Sequence, residues 1–128
     1  MQQLLYIGIA GFFGALARYL LSGWTTSVVD GRFPLGTMTV NVLGSLFLGF
    51  LYTLSVERLV LPPELKVALT VGFLGAFTTF STFSLETYNL IREGSIFLSI
   101  VNIILNMSLG LAAVIAGVSA AKILYGGQ

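Results

Sequence analysis

Residues 75–84 read GAFTTFSTFS, and this polar stretch lies within a segment that carries no charge from Val67 to Leu85. Three threonines and two serines occur within its last seven residues. Their hydroxyl groups compete for backbone hydrogen bonds, and threonine is β-branched, so the stretch weakens a helix. The sequence therefore predicts a helix that is broken near residues 75–79, in the middle of a hydrophobic segment.

The composition around this stretch is typical of a membrane protein. Of 128 residues, 56% are hydrophobic and only 9% are charged, whereas a soluble domain carries about 25% charged residues. The six basic and five acidic residues give a net charge of +1, so no basic surface for nucleic acid can be assembled. Cysteine and histidine are absent, which excludes disulfides, thiolate nucleophiles, the usual zinc sites and the commonest general base. We therefore expect a protein that is not an enzyme.

Four apolar segments are long enough to cross a bilayer, which takes about 20 residues. The predicted spans are residues 4–24, 34–56, 65–91 and 95–124. Prolines and paired charges mark three short connections, at residues 30–34, 57–64 and 92–94. No basic residue precedes Arg18, so the first segment is predicted to be an uncleaved helix. The sequence thus predicts an all-α integral membrane protein in which residues 1–128 form a single four-span domain.

Basic residues are divided almost evenly between the two sides of the predicted membrane. One side has three and the other has two, or three if the side chain of Arg18 extends to the interface: Arg58, Lys66 and Lys122 against Arg32 and Arg92. For Arg18 itself we favour a structural role. So weak a bias allows insertion in both orientations, and two opposed copies would form an antiparallel homodimer.

Polar side chains form two stripes on the predicted helices. Residues spaced four apart lie on one helix face, and the stripes are Thr37, Asn41 and Ser45 in the second span and Asn102, Asn106 and Gly110 in the fourth. Either stripe alone favours interhelical hydrogen bonding, which membrane interfaces use routinely. Together with the broken segment, the two stripes could instead line a narrow wet path.

The broken segment is also a candidate ion site. Non-helical backbone inside a membrane presents carbonyl and amide groups that ions can use. Phe80 and Phe83 are three residues apart, so they share a helix face, where they either pack in the core or point their positive ring edges at an anion. Amide and hydroxyl groups are weak donors that permit passage of a partly dehydrated anion. Glu86 follows at a distance that could place it near one pore mouth.

Three motifs resemble the Fluc fluoride channel family, also called CrcB proteins. They are GALARY at residues 14–19, GTMTVN at residues 36–41, and GFLGAFTTFSTFS at residues 72–84 followed by Glu86. The third motif is long and unusual enough to be specific, and the resemblance covers the whole chain. It implies a four-span subunit of an antiparallel, dual-topology homodimer with two pores, in a prokaryotic inner membrane. The implied activity is passive export of fluoride without ATP, which gives fluoride resistance.

The resemblance also implies roles for individual residues. The rings that would contact fluoride are those of Phe80 and Phe83, and the pore-lining amide would be that of Asn41. The polar groups beside them would be those of Ser81, Thr82, Ser84, Glu86 and, as a weaker match, Thr39. Backbone carbonyls from both subunits would hold a structural sodium ion at the dimer interface, at Gly75 and Thr78. The fourth span matches the family least, so its polar stripe has no assigned role.

Two other functions suit a four-span chain. A small multidrug exporter, which is proton-coupled, needs a carboxylate deep in its first helix, and no acidic residue precedes Arg18. A structural subunit of a larger membrane complex would use its polar stripes only for packing. The broken segment argues against the structural subunit without excluding it.

Overall fold

The computed structural model describes residues 1–29, 31–57 and 60–126, and in these residues the chain is helical with short connections and no strand. Four helical segments are long and apolar enough to cross a membrane, and they are Gln2–Val28, Leu35–Glu57, Pro63–Arg92 and Ile96–Tyr125. In hydrocarbon, backbone polar groups have no water to bind, so an apolar segment satisfies them within its own helix. The chain is a multi-pass membrane protein.

The helices are labelled in chain order. Helix α1 is Gln2–Val28, and α2 is Leu35–Tyr52, which continues as a wider π-helical turn, Thr53–Glu57. Helix α3 covers residues 63–77, in three parts: α-helical Pro63–Val67, π-helical Ala68–Leu74 and α-helical Gly75–Phe77. Helix α4 is Phe80–Arg92, and α5 is Ile96–Tyr125.

The ends of the helices follow local sequence signals. Pro63 occupies the first turn of α3, where its missing N–H costs no hydrogen bond. Gly94 joins α4 to α5 with a φ of +79°, a left-handed conformation that glycine adopts at little cost. Helix α1 continues to Val28, past the predicted end near residue 24. Asp30 and Arg58, which the sequence assigns to connections, lie outside the described residues.

Helical conformation stops between α3 and α4. Thr78 and Thr79 are both extended, with φ and ψ of −88° and 158° and of −151° and 120°. Thr79 then caps α4, because its side chain accepts a hydrogen bond from the backbone N–H of Thr82. Two extended residues, Thr78 and Thr79, therefore separate α3 from α4.

Glycines bring the helix backbones into contact. A side chain added at Gly117 would overlap the carbonyl oxygen of Leu46, so α5 and α2 meet backbone to backbone. A side chain at Gly14 would overlap the carbonyl of Phe73, which places α1 equally close to α3. Small residues at such crossings are the usual means of close helix packing in membranes. These contacts hold α5 against α2 and α1 against α3, and Gly36 of α2 makes a similar close approach to Ser22 of α1.

A small apolar core lies directly before the two extended residues. It consists of Val40 from α2 with Leu74 and Phe77 from α3, all buried. The rings of Phe73 and Phe77 stack, with centroids 5.8 Å apart. Because this cluster fixes the end of α3 against α2, it determines which α2 side chains face Thr78 and Thr79.

Candidate functional site

Asn41 clamps the backbone of Thr79. Its Oδ1 accepts a hydrogen bond of 2.8 Å from the Thr79 N–H, and its Nδ2 donates one of 3.1 Å to the Thr79 carbonyl. The side-chain amide therefore replaces the helical partners that an extended residue loses. Because a buried backbone group without a partner is costly, this pair of bonds stabilises the interruption.

Because Asn41 binds Thr79, two carbonyl groups lack the N–H partners that they would have in a continuous helix. In a continuous helix the Thr79 N–H would bind the carbonyl of Gly75, but here it binds Asn41 instead. Likewise the Thr82 N–H, the helical partner of the Thr78 carbonyl, binds Oγ1 of Thr79 at 3.3 Å. Gly75 and Thr78, the two predicted sodium ligands, are thus two residues whose carbonyls the interruption releases from the helix.

Gly75 and Thr78 both line a surface groove of about 290 Å³. Its lining combines polar groups of α2 with the interruption: Asn41, Gly44, Ser45, Leu48, Thr70, Leu74, Gly75, Thr78, Thr79 and Phe80. Among the described residues, no cluster of three or more His, Cys, Asp or Glu side chains could hold a metal. A cation at this groove would take neutral carbonyl and hydroxyl oxygens, a donor set that suits a hard ion such as sodium.

The two predicted anion-contacting rings differ greatly in exposure. The ring centroids of Phe80 and Phe83 are 5.7 Å apart, and their planes are tilted by 49°. Phe80 is 76% exposed, whereas Phe83 is only 8% exposed. Phe83 therefore packs within the subunit, and Phe80 presents its ring to whatever covers this face.

Glu86 lies against a threonine of α2. The hydroxyl of Thr37 donates a hydrogen bond of 2.7 Å to Oε1 of Glu86. The other carboxylate oxygen, Oε2, is buried and has no hydrogen-bond partner in the described part of the chain. The sequence identified Thr37 as part of the α2 stripe, but neither the stripe nor the resemblance paired it with Glu86.

A second cavity lies beside this pair and also has a volume of about 290 Å³. Its polar lining includes Arg18 and Ser22 of α1, Thr37 of α2, and Thr79 and Thr82 at the start of α4. Oγ1 of Thr79 donates a hydrogen bond of 3.0 Å to Oγ1 of Thr82, so the Thr82 hydroxyl hydrogen is available to another acceptor. The cavity thus combines one cationic side chain with neutral hydroxyl donors.

Four buried or half-buried side chains form a continuous chain of hydrogen bonds, the amide ladder: Asn41, Asn106, Asn102 and Thr87. Nδ2 of Asn41 donates to Oδ1 of Asn106 at 3.4 Å, and Nδ2 of Asn106 donates to Oδ1 of Asn102 at 2.8 Å. Nδ2 of Asn102 donates to Oγ1 of Thr87 at 3.0 Å, and that hydroxyl donates to the Phe83 carbonyl at 2.8 Å. The ladder connects α2, α5 and α4.

The ladder brings together residues that the sequence left apart. Asn102 and Asn106 of the fourth-span stripe join Asn41 of the second-span stripe, while Gly110 lies opposite Ser45. Sequence reasoning missed Thr87 and the role of Thr79. The only local signal for Thr87 is that it lies one helical turn after Phe83.

The remaining predicted polar residues are less connected. Ser81 and Ser84 are exposed, and the Ser84 hydroxyl binds the Phe80 carbonyl of its own helix at 2.9 Å. Oγ of Ser81 lies 3.5 Å from Oγ1 of Thr79. Thr39 is half-buried, and its side chain makes no hydrogen bond within the described residues. The structure joins Thr37, rather than Thr39, to the polar group around Glu86.

Comparisons with known proteins agree with one another. The family model described as "CrcB-like protein, Camphor Resistance (CrcB)" matches residues 5–118. A relative from Geotalea daltonii is 41% identical over 122 residues, 95% of this chain and 98% of its own, and is named "Fluoride-specific ion channel FluC".

Two further relatives carry the same name. The Citrifermentans bemidjiense protein is 41% identical over 124 residues, which cover 97% of this chain and 100% of the relative. The Nitratiruptor protein is 45% identical over 121 residues, which cover 94% and 93%. Because the family model and these relatives cover nearly the whole chain, the protein belongs to the CrcB family.

Proposed function

We propose that this protein is a fluoride-selective channel that exports fluoride from the cytoplasm passively and thereby gives fluoride resistance. The observation that carries the proposal is the name that the relatives share, fluoride-specific ion channel, at 40% identity or more over nearly the full chain. A channel makes and breaks no covalent bond, so no residue is assigned a catalytic role. The proposed location is a prokaryotic inner membrane.

The side chains around the interruption support this function. A fluoride ion that loses part of its hydration shell needs hydrogen-bond donors, and strong positive charge would trap it. Phe80 and Phe83 offer ring edges, and the hydroxyls of Ser81 and Thr82 offer neutral donors. The Ser84 hydroxyl would join them on leaving the Phe80 carbonyl of its own helix. We assign the pore to these residues with Asn41, Glu86 and Thr37, and retain Thr39 as the weakest member.

The functional unit is an antiparallel, dual-topology homodimer of four-span subunits. Two observations support it: the nearly even division of basic residues, and a groove that is open at the surface beside the exposed ring of Phe80 and is lined in part by Asn41, Ser45 and Thr78. Polar groups at such a surface are costly against lipid and are covered when a second copy packs on them. In such a dimer the helix interruption lies at the middle of the membrane.

Sodium is the proposed structural ion of this dimer. The carbonyls of Gly75 and Thr78, which lack their usual helical partners, would hold it together with those of the second subunit. A bound sodium ion would supply positive charge for these carbonyl oxygens. Asn41 and Thr79 keep the carbonyls out of helical hydrogen bonds. In this proposal sodium is not transported.

The decisive experiment is flux from liposomes. The purified protein is reconstituted with internal potassium fluoride or potassium chloride, and efflux is started with valinomycin, which sets a potassium diffusion potential. We expect rapid fluoride release and negligible chloride release. Equal release of both anions, or no fluoride release, would defeat the proposal.

The same preparation tests the two alternatives. A proton-coupled multidrug exporter would move protons when a cationic drug is added and would not pass fluoride. A structural subunit would pass neither anion and would respond to no drug. Protein-free liposomes and liposomes with heat-inactivated protein give the background rates.

A further inference from the structure

The geometry points to the amide ladder as a positioning device: Asn106, Asn102 and Thr87 fix the orientation of the Asn41 amide, which in turn holds Thr79 extended and the Gly75 carbonyl free. None of these three residues has a role in the resemblance or in the comparisons. The inference rests on the proposed function only where it links the Gly75 carbonyl to sodium.

The hydrogen bonds of the ladder all run in one direction. The Thr79 N–H can only donate, so Asn41 must turn Oδ1 toward it and Nδ2 toward Asn106. At the far end the Phe83 carbonyl can only accept, so the Thr87 hydroxyl must donate to it, and Thr87 then accepts from Asn102. Fixed backbone groups at both ends therefore determine the orientation of every amide between them.

A further backbone contact fixes the middle of the ladder. Nδ2 of Asn106 donates to the backbone carbonyl of Asn102 at 3.0 Å, in addition to Oδ1 of the same residue. A carbonyl cannot donate, so Asn106 cannot turn its amide around without losing both bonds. Its Oδ1 consequently remains the acceptor that faces Asn41.

Burial makes these orientations hard to change. Asn102 is fully buried, and Asn106 and Thr87 are nearly so, hence water cannot replace a lost partner. If the Asn41 amide turned around, Nδ2 would face the Thr79 N–H, and Oδ1 would face both the Thr79 carbonyl and the Asn106 oxygen. Three pairs of like groups would then oppose each other in a partly buried site, which is the costly arrangement.

The clamp on Thr79 has a consequence for the released carbonyl. While Asn41 accepts the Thr79 N–H, that N–H cannot return to the Gly75 carbonyl. If the ladder let Asn41 turn, the Thr79 N–H could bind the Gly75 carbonyl again, and the helix would become continuous there. The fourth span thus contributes to the proposed sodium site without touching it.

Hydrogen exchange at the Thr79 amide tests the ladder directly, without any assay of transport. The ¹⁵N-labelled protein is followed by NMR in micelles for the wild type and for Asn106→Leu, Asn106→Asp and Ser119→Ala. Asn106→Leu removes the acceptor for Asn41, so we expect the Thr79 amide to exchange about tenfold faster, with α1 amides unchanged. Asn106→Asp keeps that acceptor but loses both hydrogen bonds to Asn102, so Thr79 exchange should rise less than in Asn106→Leu.

Ser119→Ala is the matched control, because Ser119 is an exposed polar residue of the same helix and lies outside the ladder. Unchanged Thr79 exchange in Asn106→Leu would overturn the inference, as would equal acceleration of all helices in both Asn106 variants. If Asn106→Leu does not fold, Thr87→Val decides, since it is nearly isosteric and removes only the last two hydrogen bonds of the ladder. Faster exchange at Thr79 in Thr87→Val would support the ladder, and no change would overturn it.

A second measurement links the ladder to sodium. Thermal unfolding is recorded while sodium replaces N-methylglucamine at constant ionic strength. We expect sodium to stabilise the wild type, and Asn106→Leu to need about tenfold more sodium for half of that effect. If the wild type does not respond to sodium, the proposed sodium site fails, while hydrogen exchange at Thr79 still decides the role of the ladder.

Discussion

The hydroxyl of Thr37 donates a hydrogen bond of 2.7 Å to Oε1 of Glu86 and so joins α2 to α4 one helical turn before Asn41. Thr37 is buried, and it is the described hydrogen-bond partner of this carboxylate, since Oε2 has none among the described residues. The Glu86 carboxylate is therefore held by a single hydrogen-bond donor among the described residues. Its conformation is therefore sensitive to the loss of that hydroxyl.

Replacing Thr37 by valine should slow fluoride efflux by about tenfold, because the half-buried Glu86 carboxylate loses its hydrogen bond. Thr39→Val should stay within about twofold of the wild type, since the Thr39 side chain makes no hydrogen bond within the described residues. Efflux from liposomes measures both variants under the same potential. A larger loss in Thr39→Val would show that the resemblance identified the right threonine and that the contact with Glu86 has no part in transport.

The two phenylalanines should separate transport from folding. Phe80→Ile and Phe83→Ile should both slow fluoride efflux strongly, because each removes an aromatic ring edge. Only Phe83→Ile should also lower the stability of the subunit, by about 1 kcal/mol, since Phe83 is buried and Phe80 is exposed. Efflux and thermal unfolding of the same preparations provide the comparison. Normal fluoride efflux in both variants would remove the rings from the pore.

Close contact between α2 and α5 should make Gly117 intolerant of any side chain. Gly117→Ala places a methyl group against the Leu46 carbonyl, so we expect a loss of about 1–3 kcal/mol in unfolding free energy. Gly8→Ala is the matched control, because a side chain at Gly8 would have no contact within 4 Å. That variant should equal or slightly exceed the wild type, since alanine favours a helix. Equal stability of both variants would contradict the backbone contact.

Arg18 should act on fluoride through its charge. It lines the cavity beside Thr37 and Thr82, and it forms no ion pair within the described part of the chain. We expect Arg18→Gln to reduce fluoride efflux about threefold at low salt, and the reduction to shrink at high salt, where screening shortens the reach of a charge.

Efflux measured at two ionic strengths, with potassium gluconate as the added salt, distinguishes this role from a structural one. A structural role, which the sequence favours for Arg18, predicts the same loss of flux at both ionic strengths. Lys122→Gln is the comparison variant, because Lys122 pairs with Glu57 at the end of α2, at 3.3 Å, far along the chain from the cavity residues.

Much of the fold follows from the sequence alone. Uncharged apolar runs longer than a membrane is thick must be helical, and Pro63 and Gly94 mark ends that the structure also has. The hydroxyl-rich stretch likewise predicted an interruption, because its side chains offer the backbone other partners. Thr79 does this directly, by accepting the Thr82 N–H.

The partners of the polar side chains could not be read from the sequence. Asn41 and Thr79 are 38 residues apart and meet only because the glycines set the spacing of the helices. The predicted stripe contained Thr37, whereas the resemblance named Thr39, and residues two apart on a helix point about 200° away from each other. Which of the two threonines faces Glu86 depends on how α4 packs against α2.

The exposed ring of Phe80 has a consequence for the biosynthesis of the proposed channel. A subunit that has just entered the membrane presents this ring, and the groove beside it, to lipid or to whatever protein meets it first. If two copies complete each pore, as proposed, half of the conduction path is then missing and a solitary copy leaks no anions. In the proposed dimer, conduction begins only when two copies meet. While subunits are scarce, the concentration of dimers therefore rises with the square of the subunit concentration. A cell could thus keep a low background of subunits without dissipating its membrane potential.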